Sequence, residues 1–306
     1  MVEQSFAVNL SHIIPHGKLL EGITYDERTD TLYYIDIPAG SVFVSPNAAN
    51  TPLGVPNSYV VSASVGVIGL TSDPNKLICG VEDGVSILDL AMGEVENVKA
   101  FPNGNIAEGT QLRSNDGSVG PDGSFWVGTM DDTEEKSLGS MWLLKNKDSE
   151  LKELWSGAGI PNGINWDSSR KIVYWTDSLK ETIYKYNYDP ETAEIDLDSK
   201  ESWFSGVSTP DGSCIDKDGN LYVALWGSNK VVRVTPECKI DMEWKFPSKN
   251  MTCCAFGDKD FKTLYVTSAD LGEGDEPDAN DNGAAVYRIE LGDLNIQGVP
   301  KNKFIV

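Results

Sequence analysis

The feature that most constrains this sequence is a pattern that recurs six times, at intervals of 42 to 49 residues. In each copy a short strand-like run leads into an Asp-containing turn, and an apolar run rich in aromatic and β-branched residues follows. Strand, turn and strand are the parts of a β-hairpin. The six copies read EGITYDERTDTLYYIDI, IGLTSDPNKLICGVE, DGSVGPDGSFWVGTM, NGINWDSSRKIVYWTDS, DGSCIDKDGNLYVALWG and CCAFGDKDFKTLYVTSA.

Each hairpin is followed by material for two more strands. Alternating runs such as SVFVSP, GSMWLLK and NKVVRVT supply a third, and segments such as NVKAFPN and ESWFSG supply a fourth. Four short strands per unit, without helical periodicity, are typical of a β-propeller blade. The sequence therefore predicts an all-β protein with one domain over residues 1–306, a six-bladed β-propeller with four antiparallel strands per blade. The even period disfavours the alternative, a pair of β-sandwiches.

The N-terminal stretch QSFAVNLSHIIPHG lies before the first copy and resembles the stretches that precede the other copies. We expect it to add the outer strand to the last blade. Such a strand closes the ring and protects a sheet edge.

The first residue of each copy is predicted to face a central channel, because the innermost strands of all blades line it. Three of the six are carboxylates and one is an amide. Like charges in a narrow channel repel strongly unless something neutralises them. Oxygen ligands suit a hard divalent cation such as calcium, or magnesium or manganese. The six residues are Glu21, Ile68, Asp116, Asn162, Asp211 and Cys253.

Asp-Gly and Asn-Gly pairs are also ordinary turn formers, so each of these residues has a purely structural alternative. The coincidence of four at one repeat position, including the poor turn residue Glu21, favours a site. Arg113 and Asn115 precede Asp116 on the approach to the channel. For these two residues a purely structural role, in a surface ion pair or a turn, is as well supported by the sequence as a role in the site. The acidic stretch SADLGEGDEPDANDNG lacks EF-hand spacing and is predicted to be a solvated loop.

Composition excludes several functions. A net charge of −22, spread along the chain, opposes binding to nucleic acid or anionic lipid. No apolar stretch approaches the roughly 20 residues that span a bilayer, and the start of the chain is not typical of a secretory signal, so we expect a cytoplasmic protein. His12 and His16, the two histidines, precede the first copy and offer little to a Ser-His-Asp or histidine-rich zinc mechanism. Five cysteines without a CxxC pair indicate reduced thiols, including the adjacent Cys253 and Cys254.

Over nearly its whole length the chain resembles the gluconolactonase, regucalcin and luciferin-regenerating enzyme family of six-bladed propellers. The resemblance rests on EGITYD, RSNDG, GTM at 128–130, PNGINW, PDGSCID, and CCAFG followed by LYVTSA. It implies that Glu21, Asn162 and Asp211 bind one divalent metal and that Asp211 is also the general base.

The same resemblance assigns the RSNDG motif to the substrate side of the site. Arg113 and Asn115 would hold the substrate, and Asp116 would orient a water or an Asn ligand. Two positions depart from the family pattern. Ile23 replaces the usual proline, and an acidic substrate contact after GTM falls at Thr133, within the stretch DDTEEKSLGS that predicts either a lid or a mobile solvated loop.

The predicted function is a divalent-metal-dependent lactonase acting on sugar-acid or similar small lactones. In this interpretation the metal polarises the lactone carbonyl and Asp211 takes a proton from the attacking water. Calcium is the first expectation for the metal, with zinc, magnesium or manganese as alternatives. The partner is a small molecule, and no nucleic acid, membrane or obligate protein partner is expected. A regucalcin-like calcium or small-ligand binding protein without turnover is the main alternative, and a protein-interaction scaffold is the third.

Overall fold

Short strands joined by turns make up nearly all of the chain that the computed structural model describes, namely residues 2–8, 11–13, 17–50, 53–206, 208–272, 276 and 278–306. Within these ranges no helix has the length and apolar character needed to cross a membrane. The part of the chain that is described contains three short 3₁₀ helices, at Pro102–Asn105, Ser178–Lys180 and Gly292–Leu294.

The strands are numbered β1 to β27 in chain order. Those of the first half are β1 (Gln4–Ala7), β2 (Ser11–Ile13), β3 (Leu20–Asp26), β4 (Thr31–Asp36), β5 (Ser41–Pro46), β6 (Asn57–Val60), β7 (Val65–Thr71), β8 (Lys76–Val81), β9 (Gly84–Asp89), β10 (Glu94–Ala100), β11 (Ile106–Ala107), β12 (Thr110–Val119), β13 (Phe125–Asp131), β14 (Gly139–Leu144) and β15 (Leu151–Ala158). Those of the second half are β16 (Pro161–Asp167), β17 (Ile172–Asp177), β18 (Thr182–Tyr188), β19 (Ile195–Ser205), β20 (Thr209–Ile215), β21 (Leu221–Trp226), β22 (Lys230–Val234), β23 (Ile240–Lys245), β24 (Asn250–Gly257), β25 (Thr263–Ala269), β26 (Ala285–Glu290) and β27 (Lys303–Phe304).

These strands form six small sheets arranged as a six-bladed β-propeller, which confirms the predicted fold class. Each blade contains a four-stranded antiparallel unit, and three blades carry one additional strand. From blade 1 to blade 6 the sheet orders are β3-β4-β5-β6, β27-β7-β8-β9-β10, β11-β12-β13-β14-β15, β16-β17-β18-β19, β20-β21-β22-β23-β1 and β24-β25-β26-β2.

The inner strands β3, β7, β12, β16, β20 and β24 close a ring, because each packs against the inner strand of both neighbouring blades. Apolar side chains fill the space between blades. Among the described residues they form six buried clusters, one at each blade-to-blade interface. The core is therefore a ring of separate layers around a channel, and the polar groups of the inner strands are left to face that channel.

The Asp-containing turns of the repeat have a direct structural role. In the first hairpin the Asp26 carboxylate accepts a hydrogen bond from the Arg28 amide at 2.9 Å, and in the fifth Asp216 accepts one from the Asp218 amide at the same distance. An Asp that bonds the backbone two residues later stabilises a turn. The recurring Asp therefore marks the hairpin turn rather than the channel.

Pairings at the two ends of the chain complete three blades. Strand β2 pairs antiparallel with β26 at the outer edge of blade 6, while β1 pairs parallel with β23 of blade 5. At the other end, β27 pairs parallel with the inner strand β7. The expectations for the histidines fall outside the described side chains, because His16 is not among the described residues and His12 contributes only its backbone to β2.

Candidate functional site

All six inner strands contain a register irregularity near the repeat position predicted to face the channel. In β3 it falls between Glu21 and Thr24, in β16 between Asn162 and Ile164, and in β20 between Pro210 and Ser213. A bulge of this kind places an extra residue in one strand and turns its side chains away from the regular alternation. The bulges explain how residues of a buried strand can point into the channel.

A cavity of about 180 Å³ occupies one end of the channel, and we call it the upper cavity. The three predicted metal ligands Glu21, Asn162 and Asp211 all line it, as do Arg113 and Asn115. The structure thus brings together five of the six candidate site residues; the sixth is Asp116. The remaining lining residues are Leu19, Ile37, Glu134, Ile160, Ser178, Thr209 and Trp226.

Asp116 does not line the upper cavity. It borders a smaller space further along the channel, together with Ile68, Cys253 and Lys301. The expectation that the six repeat positions share one level is therefore wrong. At the bulge in β12, between Ser114 and Gly117, Asn115 lines the upper cavity and Asp116 lies one level deeper.

The buried carboxylates share one local arrangement. The Gly22 amide donates to Glu21 Oε2 at 2.7 Å, the Gly117 amide donates to Asp116 Oδ1 at 2.6 Å, and the Gly212 amide bonds Asp211 in the same way. Each carboxylate is thus held by the backbone of the residue that follows it. Such bonds lower a carboxyl pKa, but here burial outweighs them.

Burial raises all three pKa values, and repulsion from neighbouring carboxylates raises those of Glu21 and Asp211 further. Burial, followed by the nearby Asp116 charge, raises the pKa of Glu21 to about 8. Burial raises the pKa of Asp116 to about 7. The pKa of Asp211 is raised well above its usual range by burial first, then by the charges of Glu21 and Asp116. At neutral pH this cluster requires bound protons or a cation.

Positively charged side chains supply only part of that compensation: the charge of Arg113 lowers the pKa of Glu21 and that of Lys301 lowers the pKa of Asp116, but burial outweighs both. Among the ion pairs of the described residues, none includes Glu21, Asp116 or Asp211. Arg113 is the cation of the upper cavity, and its Nε donates to Asp132 Oδ1 at 3.1 Å while its Nη2 lies 3.6 Å from Glu134 Oε1. Its charge is therefore balanced outside the cluster.

The candidate metal ligands of the upper cavity include two carboxylates, so a third protein ligand for a hard divalent cation must be an amide oxygen. Across the described ranges, no three His, Cys, Asp or Glu side chains are grouped so that they could hold a metal ion. Glu21 and Asp211 offer carboxylate oxygens, and Asn162 offers its amide oxygen, all toward one cavity. Oxygen-only sets of this kind match calcium, magnesium or manganese better than zinc, which prefers nitrogen and sulfur ligands.

A chain of hydrogen bonds orients these amides. Arg113 Nη1 donates to Asn115 Oδ1 at 2.7 Å, and Asn115 Nδ2 donates to Asn162 Oδ1 at 3.3 Å. Asn162 Nδ2 in turn donates to Ser178 Oγ at 2.8 Å, and the Ser178 hydroxyl donates to the Pro210 carbonyl oxygen at 2.5 Å. The chain ends beside Asp211 and links blades 3, 4 and 5.

Sequence reasoning missed Ser178, which is buried at the start of a 3₁₀ helix. The preceding Asp177 fixes this corner, because its carboxylate accepts hydrogen bonds from the Gly159 and Ile160 amides at 3.0 and 3.1 Å. The available signal was the sequence WTDS at the end of the fourth repeat copy. It identifies a polar corner, but it gives no indication that the serine reaches another strand.

The segment after GTM forms one wall of the site. Asp131 accepts hydrogen bonds from the amides of Thr133 and Lys136, and also from the Thr133 hydroxyl at 2.8 Å. Thr133 is therefore used inside the turn, whereas Glu134 lines the upper cavity and Asp132 pairs with Arg113. Glu134, and not Thr133, therefore supplies the negative charge at this wall.

The five cysteines are described as unpaired, as the reduced-thiol expectation requires. Cys253 is buried and hydrogen-bonds Glu21 through its thiol. Burial, followed by the charges of Glu21 and Asp116, raises the pKa of Cys253 well above its usual range. This thiol is therefore a neutral wall of the channel rather than a nucleophile.

Known proteins share this architecture. The "Putative sugar lactone lactonase YvrE" of Bacillus subtilis is 30% identical over 251 residues, covering 81% of this chain and 82% of that protein. A crystal structure of a calcium-binding protein, regucalcin, from Agrobacterium tumefaciens superposes with a TM-score of 0.84 at 22% identity, covering 99% of both chains. The structure of a luciferin-regenerating enzyme gives a TM-score of 0.83 at 26% identity, covering 97% of this chain and 99% of that one.

The family model described as SMP-30/Gluconolactonase/LRE-like region matches residues 19–270. These limits include all six channel positions and every residue that lines the upper cavity. Because the match covers most of the sequence and agrees with the fold, this chain belongs to the SMP-30/gluconolactonase/LRE-like family.

Proposed function

We propose that this protein is a divalent-metal-dependent lactonase that hydrolyses small lactones of the sugar-acid type to hydroxy acids. The observation that carries the proposal is the meeting of Glu21, Asn162 and Asp211 in one cavity that Arg113 also lines. The name of the Bacillus subtilis relative, a putative sugar lactone lactonase, supports the substrate class.

The metal would be held by Glu21, Asn162 and Asp211, with calcium as the first candidate and magnesium, manganese and zinc as alternatives. When bound, it supplies Lewis-acid polarisation of the lactone carbonyl. Its charge also compensates the buried carboxylates, which lack a cationic side-chain partner among the described residues. The calcium-binding relative from Agrobacterium tumefaciens is consistent with this choice of ion.

Asp211 is the proposed general base, and it takes a proton from the water that attacks the lactone carbonyl. A carboxylate beside the attacking water can accept its proton, and in the metal-free protein burial raises the pKa of Asp211. Its place in the upper cavity with Glu21 and Asn162 supports this role. The proton then leaves with the alkoxide oxygen of the opened ring, which completes hydrolysis.

Arg113 and Asn115 are proposed to position the substrate. Arg113 Nε and Nη1 are used in hydrogen bonds within the protein, whereas Nη2 has only the 3.6 Å ion-pair contact to Glu134 and is left to donate to a lactone oxygen. Asn115 donates to the Pro161 carbonyl oxygen at 2.9 Å, so it acts mainly by fixing its neighbours. Asp116 lies one level deeper, so it would orient the metal ligands through its charge rather than contact the substrate.

The test is a lactonase assay on protein freed of metal by a chelator. Aldonolactones are supplied in turn, acid release is followed by pH change, and calcium, zinc, magnesium or manganese is added back. We expect no turnover above the spontaneous rate without metal and clear turnover with at least one of these ions. Metal binding detected by calorimetry without turnover of any lactone would instead favour a regucalcin-like binding protein.

A further inference from the structure

The wall of the upper cavity is chemically divided. The predicted metal ligands Glu21, Asn162 and Asp211 lie within their inner strands. Four apolar side chains lie instead at or just beyond strand ends, toward the mouth of the cavity: Leu19 and Ile37 from blade 1, Ile160 from blade 4 and Trp226 from blade 5. Ile37 is only 3% exposed, whereas Trp226 is 36% exposed at the rim. The apolar residues thus extend from the inside of the cavity to its mouth.

Few hydrogen-bonding groups remain for a ligand once the internal bonds are counted. Asn115 uses its amide group on the Pro161 carbonyl and on Asn162, and the Ser178 hydroxyl is donated to Pro210. Thr209 lines the cavity, and no hydrogen bond of its side chain is described. Apart from the predicted metal ligands, Thr209, Arg113 Nη2 and the carboxylate of Glu134 are the groups that could serve substrate hydroxyls.

A fully hydroxylated aldonolactone has several hydroxyl groups around its ring, and each loses water when it enters a cavity of about 180 Å³. A hydroxyl placed against isoleucine or leucine keeps no partner, and this costs free energy of the order of 1–3 kcal/mol per group in proteins. An alkyl substituent placed there is favourable because apolar surface leaves water. The lining toward the mouth of the cavity therefore favours an alkyl substituent over a hydroxylated one.

We infer that the preferred substrates are small lactones that carry an alkyl substituent and few hydroxyls, with the alkyl group packed on Leu19, Ile37, Ile160 and Trp226. This inference rests on the proposed lactonase function and changes its preferred substrates from hydroxylated sugar-acid lactones to alkyl lactones. The lactone group would face Glu21, Asn162 and Asp211 deeper in the cavity.

The test compares δ-hexalactone with D-glucono-1,5-lactone in the metal-loaded protein, with each kcat/KM divided by the spontaneous hydrolysis rate of that lactone. We expect the normalised value to favour δ-hexalactone by about 10-fold to 100-fold, the range that a hydrophobic pocket provides. Binding of the unreactive lactam 6-methylpiperidin-2-one, measured by calorimetry, gives a second readout that does not depend on turnover.

Two variants locate the preference. Ile160→Thr and Trp226→Ala should each lower the normalised kcat/KM for δ-hexalactone about 10-fold and weaken lactam binding, while the value for the gluconolactone changes little. Ile305→Thr makes the same kind of change at a 66% exposed residue outside the cavity and should alter neither value. Melting curves confirm that each variant is folded.

The outcomes separate the two proposals. If the normalised rate favours the gluconolactone, or if Ile160→Thr and Trp226→Ala leave the ratio unchanged, the alkyl-lactone inference is wrong and the lactonase function stands. If neither lactone is hydrolysed with any of the metals, the lactonase function itself fails, and lactam binding that responds to the variants would remain only as evidence for a binding pocket.

Discussion

The two ends of the propeller channel are built from the same six strands but differ in access. At the upper end the cavity is open, with Glu134 and Trp226 at its exposed rim. At the lower end the C-terminal segment crosses the channel: the Gly298 amide bonds the Phe261 carbonyl at 2.8 Å, and the Ser72 amide bonds the Phe304 carbonyl at 2.7 Å. The upper cavity therefore gives a ligand direct access to the predicted metal ligands.

The two levels also differ in what compensates their charge. Lys301 of the C-terminal segment borders the space beside Asp116, and its charge lowers the pKa of that carboxyl against the effect of burial. Glu21 and Asp211 in the upper cavity lack an ion-pair partner among the described residues. Lys301 thus offsets part of the charge at the lower level, whereas Arg113 of the upper cavity is paired with Asp132 and Glu134. Under the proposed function, a bound cation compensates Glu21 and Asp211. The predictions below test this difference.

The largest effect is expected for Asp211→Asn, because an amide can remain a ligand but cannot accept the proton. Lactone turnover should fall about 100-fold to 10,000-fold, while metal affinity measured by calorimetry changes far less. Asp218→Asn, an exposed aspartate of the same blade, is the matched control and should retain full activity. Turnover close to that of the wild type in metal-loaded Asp211→Asn would move the base to another group, with Asp116 the next candidate.

The second prediction concerns Ser178, which orients Asn162 at the upper level. Ser178→Ala removes the acceptor for Asn162 Nδ2 and should weaken metal affinity about 10-fold to 100-fold, the usual loss when a partner of a ligand is removed. Ser168→Ala, at the other end of the channel, removes a serine that bonds the Tyr188 hydroxyl and should leave metal affinity unchanged. Equal affinities in both variants would show that Ser178 does not position the ligand set.

Arg113→Lys is expected to have a smaller effect, about 10-fold on kcat/KM, because lysine keeps the charge but loses the planar set of donors that holds Asn115 and faces the cavity. Metal affinity and melting temperature should change little. If Arg113→Lys were fully active and Arg113→Ala strongly destabilised, the role of Arg113 would be structural, through its ion pairs with Asp132 and Glu134.

The smallest effect is a pH dependence of stability in the chelated protein. Folding raises the pKa of Glu21 from 4.5 to about 8 and that of Asp116 from 3.8 to about 7. The folded state thus binds more protons than the unfolded chain between these values, and its free energy of unfolding falls as pH rises through this window. We expect the melting temperature to drop by several degrees between pH 6 and 8.5, and saturating calcium to remove most of the drop. A flat profile without metal would contradict the raised pKa values.

The fold was predictable because its signals are local and repeated. Each hairpin carries its own turn chemistry, as Asp26 and Asp216 show, and six copies at an even spacing leave few architectures. The parallel pairings of β1 with β23 and of β27 with β7 were not predicted. They join distant parts of the chain at sheet edges, and no periodic pattern marks them.

Most of the site was predictable from two signals: the repeat position gave Glu21, Asn162 and Asp211, and the family resemblance added Arg113 and Asn115. Glu21, Asn162 and Asp211 occupy one repeat position on three inner strands, so the period alone brings them together. Asp116 occupies the same position in sequence but borders the space below the upper cavity, and the bulge of its strand begins two residues earlier in the repeat than that of β3. Glu134 and Trp226 reach the cavity from a turn and a strand end, where side-chain direction depends on packing that the sequence does not display.

The most direct test of the account is the position of a bound cation along the channel. Crystals grown with manganese, and data collected at a wavelength that gives its anomalous signal, would locate the ion without reference to activity. The account predicts one strong peak in the upper cavity, within about 2.0–2.4 Å of oxygens of Glu21, Asn162 and Asp211, the range of hard-cation contacts. A peak at the lower level beside Asp116, or a well-ordered structure in which the three side chains turn away from one another with manganese present, would contradict it.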